Sequence, residues 1–138
     1  MPFFSGLISP RKQILIDVLL GRPSVAPNHK SSYVALVDTG ATITCISPKV
    51  IKNLKLTPVG KNPIQAATQK TNTNLYHVSF HIPIAQAQGK NLKIHFHSNS
   101  NMQVAEIIQP PDYDVLLGMD VLETCSLFIA SGRFTLGY

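Results

Sequence analysis

Four consecutive apolar residues, Val34-Ala35-Leu36-Val37, run straight into Asp38-Thr39-Gly40-Ala41, and this junction constrains the fold more than any other stretch of the chain. A short apolar run bounded by turn residues reads as a buried strand. Here the strand must end by presenting a carboxylate, a hydroxyl and a glycine together. The 138 residues hold only seven acids, so an acid set directly behind a buried strand calls for a reason. Two are available. Asp accepts local backbone N–H bonds and Gly permits positive φ, which makes an ordinary turn; alternatively, the strand end holds the carboxylate ready for acid–base chemistry. The tripeptide alone is compatible with both.

The context that separates them lies some eighty residues downstream, in Tyr113-Asp114-Val115-Leu116-Leu117-Gly118-Met119-Asp120-Val121-Leu122. This is a second short apolar strand that ends in Gly and runs into a helical turn. Taken as a pair, Val37 with Asp38-Thr39-Gly40-Ala41, and Leu116-Leu117-Gly118 with Met119 to Leu122, resemble the retropepsin-like aspartic proteases. That single-lobed family includes the retroviral proteases and their cellular and bacterial relatives. The resemblance implies an all-β acid-protease lobe, a closed β-barrel with one or two short helices, assembled as a two-fold homodimer that hydrolyses peptide bonds.

The chemistry shows why such a family needs these residue types. Cleaving a peptide without a metal or a covalent nucleophile requires one group to take a proton from water and another to hold a proton at the scissile carbonyl. Two adjacent carboxylates do both, because like charges forced together leave one of them protonated. This chain carries a single Asp-Thr-Gly, and 138 residues are too few for two lobes with a full core each. A two-fold homodimer is the simplest way to make a dyad from one motif. The resemblance makes Asp38 the catalytic residue, with Thr39 bracing the two active loops across the axis. Gly40 would admit a close backbone N–H and Ala41 would let substrate backbone pass. Leu116 and Leu117 would pack under the Asp38 loop, and Gly118 would allow close approach of the two segments.

Two departures point toward cellular and bacterial relatives as the nearer model. Viral members place Arg directly after the apolar-apolar-Gly segment, paired with an acid just past the catalytic motif; here Met119 takes that place and Thr42-Ile43-Thr44 follow Ala41. That ion pair cannot form. The chain also continues through Cys125 to Tyr138, longer than the single terminal strand of viral members.

The rest of the chain reads as strands. Residues 3–8 and 13–20 flank Ser9-Pro10-Arg11-Lys12, which suits a hairpin turn, and 21–32 reads as a loop. Strands follow at 33–37 and 42–46, and Ser47-Pro48 can cap and open a helix through Leu54. Residues 63–76 occupy the place of the family's flap, a hairpin that closes over bound peptide. Strands at 75–83, 92–97 and 102–108 are expected to be separated by Gln- and Asn-rich turns around Gly89 and Asn99. Runs at 125–130 and 134–138 flank a Ser131-Gly132-Arg133 turn, and their apolar edges are the expected dimer interface.

No cofactor and no metal are implied. His77 with His81, or His95 with His97, would share a strand face, yet no Cys or acid stands at ligand spacing beside them. Cys45 and Cys125 read as free thiols. The net charge of +5 comes from scattered cations with no interleaved aromatics, which argues against a nucleic-acid platform. No apolar stretch reaches membrane-spanning length and the N-terminus lacks signal-peptide order, so the expectation is a cytoplasmic protein, one domain over residues 1–138, with no membrane partner. Its function is expected to be that of an aspartic endopeptidase on peptides or unfolded proteins. The alternative is a dimerisation or peptide-binding module that keeps the fold and cleaves little.

Overall fold

Period-two burial organises the first half of the chain. In β2 (Leu15–Gly21), Ile16, Val18 and Leu20 are buried while Leu15 and Asp17 face solvent, and in β3 (Ser32–Val37), Tyr33 and Ala35 point inward. The two strands pair antiparallel, Leu15 opposite Leu36 and Leu19 opposite Ser32. The computed structural model describes residues 2–65, 70–107 and 112–138. It adds β1 (Phe3–Leu7), β4 (Cys45–Ile46), α1 (Pro48–Leu54), β5 (Gly60–Gln65), β6 (Lys70–Gln88), β7 (Asn91–Glu106), β8 (Val115–Leu117), α2 (Met119–Leu122), β9 (Ser126–Ala130) and β10 (Arg133–Gly137).

Seven strands form one sheet in the order β2-β3-β8-β4-β7-β6-β5, and a further pairing of β2 with β6 closes it on itself. The result is the all-β closed barrel that the sequence leads one to expect. Its interior holds Val18, Ala35, Ile46, Val78, Phe80, Val104, Val115 and Leu117, all essentially inaccessible to water. Helix α1 covers the core with buried Val50; the Ser47 hydroxyl accepts from the Val50 N–H, Pro48 opens the helix, and Lys55 ends it in the left-handed region.

The second sheet is small, with β10 between β1 and β9. This corrects two expectations. Ser9 to Lys12 do form a tight turn, closed by Ser9 N–H to the Gln13 carbonyl, but the flanking strands go to different sheets and do not form a hairpin. Phe4 and Phe134 pack edge-to-face and draw β1 onto β10 instead. Because β10 is paired on both sides, its edges are taken, and only the outer edges of β9 and β1 are open to a partner.

Two further corrections concern strand length. The Asn-rich segment around Asn99 is not a turn: β7 runs unbroken past it, paired with β6, with a bulge where Phe80 faces Asn99 and Val78 faces Met102. Its polar side chains lie exposed, Asn101 N–H bonds the Asn99 side chain within the bulge, and the ladder resumes on either side. Only the Gly89-Lys90 turn interrupts the pair, with Gly89 at φ +59°. The expected strand at 42–46 shrinks to Cys45–Ile46, because the Ala41 and Thr42 carbonyls and the Thr44 N–H bond to α2, leaving only the Thr44 carbonyl to accept from Ala105 of β7. The flap position is a hairpin of β5 and β6, registered from Gly60 opposite Leu75 to Gln65 opposite Lys70; residues 66–69, at its tip, lie outside the described residues.

Candidate active site

Strand β3 runs parallel to β8, Val37 opposite Leu117, and the Asp38 N–H extends that ladder by one bond to the Leu117 carbonyl at 2.9 Å. The carboxylate is thus delivered where the parallel pair ends. The chain turns at once: the Gly40 N–H donates to Asp38 Oδ1 at 2.8 Å and the Ala41 N–H donates to the Asp38 carbonyl at 3.2 Å. A side chain at Gly40 would place its Cβ 3.2 Å from Oδ1, crowding the group it serves. Among the described residues, no intrachain partner holds the other Asp38 oxygen or the hydroxyl of exposed Thr39.

Gly118 is the close-approach point. A Cβ there would meet the Ile43 carbonyl carbon at 2.8 Å and the Ala41 oxygen at 3.0 Å, so no side chain fits. Around it the Asp38 loop is sewn to α2. Met119 N–H donates to the Ala41 carbonyl at 2.8 Å and Asp120 N–H to the Thr42 carbonyl at 3.2 Å.

Leu116 and Leu117, expected side by side beneath the loop, point to opposite faces as strand alternation requires. Leu117 joins the main core, while half-buried Leu116 packs with Cys45, Leu75, Ala105 and Ile43 in a second apolar cluster.

The sequence reading missed Thr44 and Asp120. Thr44 is fully buried and its N–H donates to Asp120 Oδ2 at 3.0 Å, while its hydroxyl donates to Asp120 Oδ1 at 2.7 Å and accepts from the Gly118 N–H at 3.1 Å. One carboxylate therefore ties the loop after Asp38 to the segment after Leu117, with no arginine involved. The available signal was one of seven acids placed two residues past Gly118.

Cys45 and Tyr113 complete the surroundings. Burial, then the charges of Asp120 and Asp38, pushes the Cys45 thiol up to about 11, so it stays protonated at neutral pH. Burial, followed by the Asp38 charge and Cys45, raises the Tyr113 phenol. Both cysteines are free. A cleft of about 560 Å³ opens behind the Asp120 side of this assembly, lined by Phe80, Ser98, Asn101, Gln103 and Thr124, but Asp38 does not line it. Asp38 sits instead at the loop end, where a single chain supplies one carboxylate.

Comparison with known proteins agrees with this geometry. Residues 24–124 match the family model described as "gag-polyprotein putative aspartyl protease". No curated protein matches. Among solved structures, the chain is similar to a retropepsin-like aspartic protease from Rickettsia conorii, with a TM-score of 0.66 at 17% identity over 99% of this chain and 90% of that one. It is similar to the foamy viral protease-reverse transcriptase (TM-score 0.52, 18% identity), covering 86% of this chain and 13% of that one. The EIAV protease bound to the inhibitor HBY-793 gives a TM-score of 0.50 at 16% identity, over 83% of this chain and 89% of that one.

Proposed function

The chain belongs to the gag-polyprotein aspartyl protease family and has the retropepsin-like fold, and from that premise we propose that it is an aspartic endopeptidase whose site forms when two copies bring their Asp38 loops together. The observation that carries this reading is the Asp38 turn itself. Its carboxylate is held at the end of a buried parallel ladder, with one oxygen fixed by Gly40 N–H and no second carboxylate bonded to it among the described residues.

In the dimer, like charge keeps one proton on the Asp38 pair, as is established for aspartic-protease dyads generally. The ionised member takes a proton from water as the water oxygen attacks the scissile carbonyl carbon, and the protonated member gives its proton to the carbonyl oxygen. The tetrahedral diol then collapses. A proton passes to the amide nitrogen, the C–N bond breaks, and acid and amine leave.

Thr39, exposed and without an intrachain partner among the described residues, would bond across the axis. The β5–β6 hairpin stands where it can cover an extended peptide and add a strand to it. The open edges of β9 and β1, beside exposed Phe3 and Phe128, offer the second copy a surface.

The test is digestion of a denatured protein across an acidic to neutral pH series, with the mass in solution measured on the same sample. Cleavage by a dimer, lost in Asp38→Asn while the dimer persists, is expected. Equal cleavage by both proteins, or a strictly monomeric active species, would sink the reading.

A further inference from the structure

The outer end of the β6–β7 pair is a free-standing ribbon. Strand β6 pairs with β2 only at residues 79–81 and β7 pairs with β4 only at 105–106, so beyond these points the two strands have only each other in the ladder. From Ala85 to Ile94 every residue except half-buried Gln86 is exposed. Register divides the ribbon into two chemically different faces. Gln88 lies opposite Asn91 and Gln86 opposite Lys93, giving a polar face; Ala87 lies opposite Leu92, Ala85 opposite Ile94 and Pro83 opposite Phe96, giving an apolar one. Leu92 is 68% exposed, Ile94 40% and Phe96 37%. A sheet face turned to water ordinarily carries polar residues, and an apolar one signals a contact surface.

We propose that this ribbon is a peripheral membrane-docking element that seats its apolar face in the interface of an anionic lipid bilayer. The inference goes beyond the protease reading and does not rest on it. It also stands against the sequence expectation of no membrane partner, which considered only spanning segments and could not see the register.

Charge selects the occupant. Between Asp38 and Glu106 there is no acid, while Lys49, Lys52, Lys55, Lys61, Lys70, Lys90 and Lys93 all fall there, the last two at the ribbon's end. Apolar side chains on a ribbon that carries two lysines and no acid of its own match an anionic headgroup layer over a hydrocarbon boundary. A second copy is a poorer fit. The apolar face measures roughly 17 Å by 10 Å, far below the ~800 Å² per partner of a stable interface.

The experiment is co-sedimentation with vesicles of phosphatidylcholine alone and of phosphatidylcholine mixed with phosphatidylglycerol. The wild type is expected to bind the anionic vesicles, more weakly as salt rises, and to leave the neutral ones in the supernatant. Leu92→Ser with Ile94→Ser should abolish binding. Lys90→Gln with Lys93→Gln should weaken it roughly thirty-fold, at about five-fold per lysine. The control pair Lys52→Gln with Lys61→Gln, on α1 and on β5 at the opposite end of β6 from the ribbon, should change it little. Circular dichroism of each variant should match the wild type, since all the altered side chains are exposed. The proposal falls if the wild type ignores anionic vesicles, if neutral vesicles bind equally, or if the control pair costs as much as the ribbon pair. It also falls if the apolar variant changes the solution mass and leaves lipid binding intact, which would make the ribbon a self-association surface.

Discussion

Asp120 closes on Thr44 with both carboxylate oxygens, taking the backbone N–H at 3.0 Å and the hydroxyl at 2.7 Å, across 76 residues of sequence. The Thr44 oxygen in turn accepts from Gly118 N–H. Three residues from two distant segments thus share one hydrogen-bond network directly behind the Asp38 loop. It needs the aspartate to act only as an acceptor and the threonine to act in both directions.

Thr44→Val keeps the volume but removes the hydroxyl, leaving the buried Gly118 N–H without its acceptor. The expected loss is about 2 kcal/mol of folding stability, measured by denaturant unfolding. Asp120→Ala should cost a similar amount. Asp120→Asn should retain most of the stability, because an amide can accept from the Thr44 N–H and donate to its hydroxyl. An Asn variant as unstable as the Ala variant would show that charge, not hydrogen-bond geometry, holds the two segments together.

The two glycines separate stability from activity. Gly118→Ala drives a Cβ to 2.8 Å from backbone that cannot yield, and is expected to destabilise by about 3 kcal/mol. Gly40→Ala meets only the Asp38 carboxylate, at 3.2 Å, so its melting temperature should fall little while cleavage falls strongly. Thermal melts and initial rates on the same preparations distinguish the two, and equal melts would contradict the packing at Gly118.

Asp38→Asn should lower peptide hydrolysis by at least about a hundredfold, the scale of a lost general base. Its Oδ1 can still accept from Gly40 N–H, so the turn should persist and the circular dichroism spectrum should be unchanged. A variant that loses activity only together with its fold would assign Asp38 to the turn and not to the chemistry.

Much of this was legible from residues alone. The β2 and β3 alternation, the Ser47-Pro48 helix start and the Ser131-Gly132 turn, with both residues at positive φ, follow local rules that the structure obeys. Three features were not legible, each for a long-range reason. Asn99 to Asn101 have turn chemistry, and Asn101 N–H does bond the Asn99 side chain, yet pairing of Asn99 and Met102 with β6 on either side absorbs this as a bulge within the β6–β7 pair. Phe4 meets Phe134 far along the chain, and that contact separates β1 from β2. Thr42 to Thr44 are good strand formers, but the α2 N–H groups and the Asp120 carboxylate take the Thr42 carbonyl and the Thr44 N–H, and only the Thr44 carbonyl reaches β7. Pattern reading sees propensity; it does not see which distant donor arrives first.

Cys45 makes a chemical prediction. With its thiol pushed up to about 11 by burial and by two nearby carboxylates, it should resist alkylation at pH 8 in the folded protein and react freely in denaturant. The sign for stability follows. The unfolded thiol ionises at lower pH than the folded one, so the unfolded state binds fewer protons between about 9 and 11, and stability falls as pH rises through that window. Cys45→Ala should show a shallower alkaline loss than the wild type in parallel urea titrations; identical slopes would place the alkaline sensitivity elsewhere, with the raised tyrosines.

His97 sets the opposing, acidic limit. Its ring stacks on Tyr138 at 4.5 Å, its Nε2 meets the Thr124 hydroxyl at 2.7 Å, and burial lowers its pKa. The unfolded imidazole therefore takes up a proton at higher pH than the folded one. The stability this contributes is complete above the ordinary histidine range and is lost as pH falls through the depressed folded value. Buried His81, bonded through Nδ1 to Ser98, is shifted the same way and adds to the effect. The consequence is a conflict with the proposed chemistry, since a carboxylate dyad favours acid while these two rings favour neutrality. His97→Phe keeps the stack on Tyr138 and removes the titration, so its melting temperature at pH 5, relative to pH 8, should fall less than that of the wild type. If the two proteins lose the same amount, acid sensitivity lies with other groups and the His97–Tyr138 contact is merely packing.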